Sequence, residues 1–165
     1  MLSPHVSTKA PPSRRTNSAP TTTVLLARRL AQNPERVFDA WLDPPKIAKW
    51  IVAPSPKDEV RRVVVEPHVG GTFSFLVVRD GSEVEHAGTY VELDRPRRLA
   101  FTWHAGTPRE NQPPRSSSLV TLDFAPAGAG TELRITHEGV PEEHALRSEE
   151  GWSKIIQALA NSIGT

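Results

Sequence analysis

The chain has 165 residues, 20 of them basic and 19 acidic, for a formal net charge of +1. That length suits one domain with a sizeable core, and the balanced charge leaves no basic stripe to track a phosphate backbone, so nucleic acid is not an expected partner. There is no cysteine, which excludes disulfide frameworks, thiolate metal sites and cysteine nucleophiles and fits a reducing, cytoplasmic location; no apolar run approaches the ~20 residues of a membrane-spanning helix.

Residues 1–21 are rich in Ser, Thr and Pro, carry no aromatic residue and contain no acid, the first being Glu35. They read as a disordered tail before a domain over 22–165, although a basic, hydroxyl-rich leader also has the look of a targeting segment. Thr22 to Leu30 is aliphatic and β-branched and reads as a strand. Asn33-Pro34-Glu35 then supplies an N-cap, a first-turn proline and an early acid for a helix whose apolar face is Val37, Phe38 and Trp41. Pro44-Pro45 ends it and opens a second short helix, Lys46 to Trp50.

Strands follow at hairpin spacing over Val60 to Glu66, Thr72 to Val78, Val84 to Leu93, Leu99 to His104, Leu119 to Phe124 and Glu132 to His137. Gly70-Gly71, Asp80-Gly81, Asp94 to Pro96 and Gly128 to Gly130 punctuate them, and such short connections make neighbours antiparallel. Residues 105–117 form a longer, proline-bearing loop, either a lid or an insertion. The last segment, from near Ser148, places Trp152, Ile155, Ile156, Leu159 and Ile163 on one helical stripe, with Glu149 and Glu150 expected in its first turn.

Alternation splits each strand into two faces. Phe73, Phe75 and Val77 oppose Thr72 and Ser74; His86, Gly88 and Tyr90 oppose Glu85 and Thr89; Phe101 and Trp103 oppose Thr102. Val120, Leu122 and Phe124 oppose Thr121 and Asp123, while Leu133, Ile135 and His137 oppose Glu132, Arg134 and Thr136. One face is therefore covered, and the long C-terminal stripe is the cover. His86, Tyr90 and His137 fall in the apolar set, so they either satisfy one another or meet a ligand's polar groups.

This order of elements resembles the helix-grip proteins of the START/Bet v1 superfamily, an α+β fold in which a curved antiparallel sheet wraps a long C-terminal helix, with two short helices after the first strand. Within it the chain is similar to the branch named after the C-terminal domain of the activator of Hsp90 ATPase, the AHSA1-like SRPBCC proteins. The resemblance rests on Pro34-Glu35-Arg36-Val37-Phe38-Asp39-Ala40-Trp41 with Pro44 and Trp50; Gly70-Gly71-Thr72-Phe73; Gly88-Thr89-Tyr90-Val91-Glu92-Leu93 with Pro96 and Arg98-Leu99-Ala100-Phe101-Thr102-Trp103; Thr136-His137-Glu138-Gly139-Val140; and Gly151-Trp152 with Ile156 and Leu159. It implies a deep cavity between sheet and helix for lipids, polyketides or other apolar small molecules, used catalytically in a minority of the superfamily.

The sequence lacks G-x-S-x-G, Walker-type, G-x-G-x-x-G and H-E-x-x-H motifs, so no cofactor or metal is expected. Three readings follow. In the first, a non-catalytic module holds a small hydrophobic or aromatic ligand, with Trp50, Phe73, Phe75, Phe101, Trp103, Leu122, Phe124, Trp152 and Ile156 as walls and His86, Tyr90 and His137 as polar anchors. In the second, an aromatase/cyclase-type enzyme uses a cavity histidine or tyrosine to shuttle a proton. In the third, the outer surface stimulates an Hsp90-type ATPase, although residues 1–21 are too short for the additional domain such co-chaperones carry. The subunit count stays open, a homodimer included.

Overall fold

The computed structural model describes residues 20–108 and 117–164. Most of the tail and the middle of the 105–117 loop therefore lie outside the described residues, and with them the expectations of a disordered leader and a lid. The elements in chain order are β1 (Thr21–Leu30), α1 (Pro34–Ala40), α2 (Pro44–Trp50), β2 (Glu59–Val65), β3 (Thr72–Arg79) and β4 (Ser82–Asp94). They continue with β5 (Arg98–Gly106), β6 (Ser118–Ala127), β7 (Gly130–Pro141), a 3₁₀ turn over Glu142–His144 and α3 (Ala145–Ile163).

The strands form one antiparallel sheet in the order β1-β7-β6-β5-β4-β3-β2, so that all neighbours except β1 and β7 are joined by sequence-adjacent connections. β1 pairs along nearly the whole of β7, from Thr21 opposite Pro141 to Leu30 opposite Thr131, which is why β7 runs past His137 to Pro141. Phe73 sits opposite Gly88, and a Cβ there would overlap the carbonyl oxygen of Thr102 and press on the Phe73 ring. The bare backbone at Gly88 lets β5 close in and the Phe73 ring lie across the inner face.

Local chemistry sets the helices. The Asn33 side chain accepts a hydrogen bond from Arg36 N at 2.9 Å, capping α1 ahead of its N-terminal proline. One expectation is corrected: α3 starts at Ala145, not near Ser148, so Glu149 and Glu150 lie beyond its first turn. Ala145-Leu146-Arg147 are strong helix formers that continue directly from the 3₁₀ turn after Pro141. Trp152, Ile155, Ile156, Leu159 and Ile163 form the buried stripe of α3 as the spacing predicts. The inward sets of the strands are buried as well, with Val77, Val120, Leu122, Leu133 and Ile135 at 0% exposure. Phe38 of α1 packs on Phe124 of β6 at a ring distance of 5.2 Å and closes one end of the grip.

Candidate functional site

Four of the inward phases are apolar along most of their length and polar at one end. Phe73, Phe75 and Val77 lead to Arg79; Tyr90 and Gly88 lead back to His86; Leu122 and Val120 lead back to Ser118; and Leu133 and Ile135 lead to His137. Because the strands are antiparallel, these polar ends share one end of the sheet: His86 pairs with Phe75 and Ala105, Trp103 with Ser118, and Val120 with His137. The chain leaves β7 at that same end and enters α3, so the first turns of α3 roof it. A pocket of about 300 Å³ opens there, bounded by Arg79, His86, Trp103 and His137 from the sheet and by Arg147 and Trp152 from the helix.

His137 is 4% exposed and joins three elements. The Trp152 indole N–H donates to His137 Nδ1 at 2.9 Å, and His137 Nε2 lies 2.6 Å from Ser118 Oγ, which donates to the Trp103 carbonyl at 3.0 Å. An indole N–H can only donate, so Nδ1 must accept and the ring proton sits on Nε2. The proton order then runs in one direction, from Trp152 through His137 and Ser118 to the Trp103 backbone. Burial pushes the His137 pKa down to about 4, which keeps this neutral tautomer at pH 7. The rings of Trp152 and Trp103, at the two ends of this chain, are in contact at a centroid distance of 5.4 Å and inclined by 49°.

His86 is different. Its Nδ1 is buried and, among the described residues, has no hydrogen-bond partner. Its ring lies 5.5 Å from that of Trp103. Burial first, and the Arg79 charge second, lower its pKa to about 4, so it too is neutral. Arg79 itself is committed: its Nε and Nη2 reach the buried Asp58 carboxylate at 3.1 and 2.8 Å.

The residues expected as walls divide into groups. His86, Trp103, His137 and Trp152 line the pocket. Trp50, Phe73, Phe75, Tyr90 and Phe101 surround only a residual void of about 10 Å³, with Trp103 on its border, so the level between mid-sheet and helix is filled by aromatic rings. Phe73 lies 4.9 Å from Phe75, 5.3 Å from Tyr90 and 5.4 Å from Phe101, all ordinary aromatic packing distances. Leu122, Phe124 and Ile156 are core residues at 2% exposure or less and border neither space. Tyr90 and the two histidines do not pair with one another: the histidines sit at the pocket, and Tyr90, its phenol pKa raised by burial, sits in the filled layer.

Arg79, Ser118, Arg147, Ser148 and Gly151 escape a reading of the sequence alone. Arg79 and Ser118 carried a usable signal, as polar residues in otherwise apolar inward phases. Gly151 is at the pocket wall within α3, and a Cβ built there meets nothing closer than Pro54 Cγ at 3.9 Å. A wider groove of about 470 Å³ lies between α1, α2 and the end of α3. Its acids are already engaged, Asp39 with Arg95 at 2.8 Å and Asp43 with Lys46 at 3.2 Å. Among the described residues no cluster of His, Asp or Glu could hold a metal ion, and no helix is long and apolar enough to cross a membrane.

Comparison with known proteins agrees with this architecture. Protein CV1439 from Chromobacterium violaceum is 28% identical, with 86% of this chain and 96% of that one covered at a TM-score of 0.73. Mll3558 from Rhizobium loti is 27% identical, covering 88% and 99% at 0.72. The solution structure of an AHSA1-like protein from Aeromonas hydrophila, 22% identical over 85% and 90% of the two chains at 0.70, shares the fold. No curated protein matches the chain. The family described as activator of Hsp90 ATPase homolog 1-like protein matches residues 31–164, most of the chain and every element from α1 to α3. The chain therefore belongs to the activator of Hsp90 ATPase homolog 1-like family, with the helix-grip fold of the START/Bet v1 superfamily.

Proposed function

We propose that the domain binds a small aromatic molecule in the pocket between Trp103, Trp152 and His86. The observation that carries this reading is a largely apolar pocket of about 300 Å³ whose wall brings together Trp103, Trp152 and the neutral imidazole of His86. Gly151 adds support. A glycine inside a helix costs roughly 0.5–1 kcal/mol relative to alanine, and no neighbour demands it for space, whereas a larger side chain would enter the pocket.

The volume favours one or two rings over a long acyl chain. About 300 Å³ is at the lower end for small-molecule sites, and the aromatic layer beneath, with only about 10 Å³ free, offers a chain no tunnel. Binding is favoured over ring-closing catalysis by the two histidines. A general base works best with a pKa near the operating pH, and both rings are held at about 4. Calorimetric titration with 2-naphthol tests the reading: one saturable site per chain is expected, and heats indistinguishable from dilution up to millimolar probe would overturn it.

A further inference from the structure

The pocket has a charge pattern that the apolar reading leaves unused. Among the described residues that line it there are two guanidinium groups, Arg79 and Arg147, and no carboxylate. The charge of Arg79 is answered by Asp58, whose side chain is 3% exposed and receives Arg79 Nη2 at 2.8 Å. Arg147 has no such acid beside it in the lining. It stands exposed at the rim, on the first turn of α3, one residue before Ser148, which also lines the pocket. Glu142, Glu143, Glu149 and Glu150 of the same stretch are exposed and none borders the pocket. The site therefore runs from an aromatic floor, through a neutral imidazole, to a cationic rim.

Building on the binding reading above, we propose that the ligand is a small aromatic carboxylate, its rings in the pocket against Trp103 and Trp152 and its carboxylate at the Arg147 guanidinium. The guanidinium fork matches a carboxylate in two parallel hydrogen bonds. A neutral ligand would bury its rings equally well and leave the rim unused. Partial enclosure by the pocket walls strengthens the pair relative to one in open water, and the exposed position of Arg147 makes it sensitive to salt.

Calorimetry with 2-naphthoate and its near-isosteric neutral counterpart 2-naphthamide tests this. Naphthoate should bind about tenfold tighter in low salt, and the ratio should shrink as salt is added. In Arg147→Gln the ratio should fall to near one through loss of naphthoate affinity, and an unchanged melting temperature shows that the protein remains folded. Equal affinities in the unaltered protein, or a preference that survives Arg147→Gln, would overturn the carboxylate assignment and leave aromatic binding standing. Failure of both probes to bind would overturn the binding reading and this inference with it.

Discussion

The indole N–H of Trp152 donates to His137 Nδ1 at 2.9 Å, and this bond fixes which nitrogen of the imidazole carries the proton. It ties α3 to β7 at the floor of the pocket, and the continuation through Ser118 ties in β6 and the backbone of β5. His137 is in this sense a pin for the two tryptophan walls. His137→Leu keeps the bulk but strands the buried indole donor of Trp152, so it should cost about 1–3 kcal/mol in urea denaturation at pH 7.5. A loss below about 0.5 kcal/mol would mean that the bond is not structural.

The two neutral histidines make stability depend on pH. Both folded-state values, about 4, lie below the ordinary 6.5 of a histidine. Between those limits the unfolded chain binds more protons than the folded one, so stability is complete above about pH 6.5 and falls as pH drops toward 4. Each histidine can contribute up to roughly 2–3 kcal/mol of this loss. Denaturation midpoints from pH 7.5 to 4.5 should slope downward, and His137→Leu should flatten the slope. A profile level between pH 7 and 5 would contradict the burial of both rings.

Two adjacent isoleucines of α3 offer a packing test. Ile156 is 2% exposed among core side chains, whereas Ile155 borders the pocket. Ile156→Ala should therefore cost the ~2–5 kcal/mol of a close-packed site, and Ile155→Ala about 1 kcal/mol less, since it enlarges a space already open. Equal losses would indicate that the pocket is closed in solution.

Gly88 makes a sharper prediction for the sheet. A methyl group there overlaps the backbone carbonyl of Thr102 and presses on the Phe73 ring. Gly88→Ala should destabilise the fold by about 1–3 kcal/mol or more through overpacking. Gly151→Ala, also a glycine-to-alanine change but with open space around the new atom, should instead stabilise it by roughly 0.5–1 kcal/mol. Opposite signs for the two substitutions, read as melting temperatures, are the expected result.

How much was legible in the sequence differs between fold and site for a physical reason. Alternation told which way Phe73, Leu122 or His137 points, because a strand's side-chain period is two and the register follows from it. It carried no information on which end of the sheet is filled and which is open. Phe73, Phe75 and Phe101 were thus grouped with Trp103 and Trp152 as walls, and Tyr90 with His86 and His137 as polar anchors, although Phe73, Phe75, Tyr90 and Phe101 pack against one another and only His86, Trp103, His137 and Trp152 reach the pocket. Arg79 and Ser118 broke the apolar pattern at the open end and could have marked it. Arg147 was hidden by placing the start of α3 near Ser148, three residues late, which took the residues before it out of consideration. Gly151 entered only as part of the family resemblance, since a lone glycine in a helical pattern has no direction until the helix is docked.

The central claim, that the pocket bordered by Trp103, Trp152 and His86 is a binding site, is tested most directly by filling it. Gly151→Leu should project a side chain into the pocket while removing a helix-weakening glycine, so the variant should melt at the same temperature as the unaltered protein or higher. Tryptophan emission followed during titration with 2-naphthol should show saturable quenching in the unaltered protein and at least about tenfold weaker binding in Gly151→Leu. Identical titration curves for the two proteins, or an unaltered protein whose emission does not respond, would contradict the account.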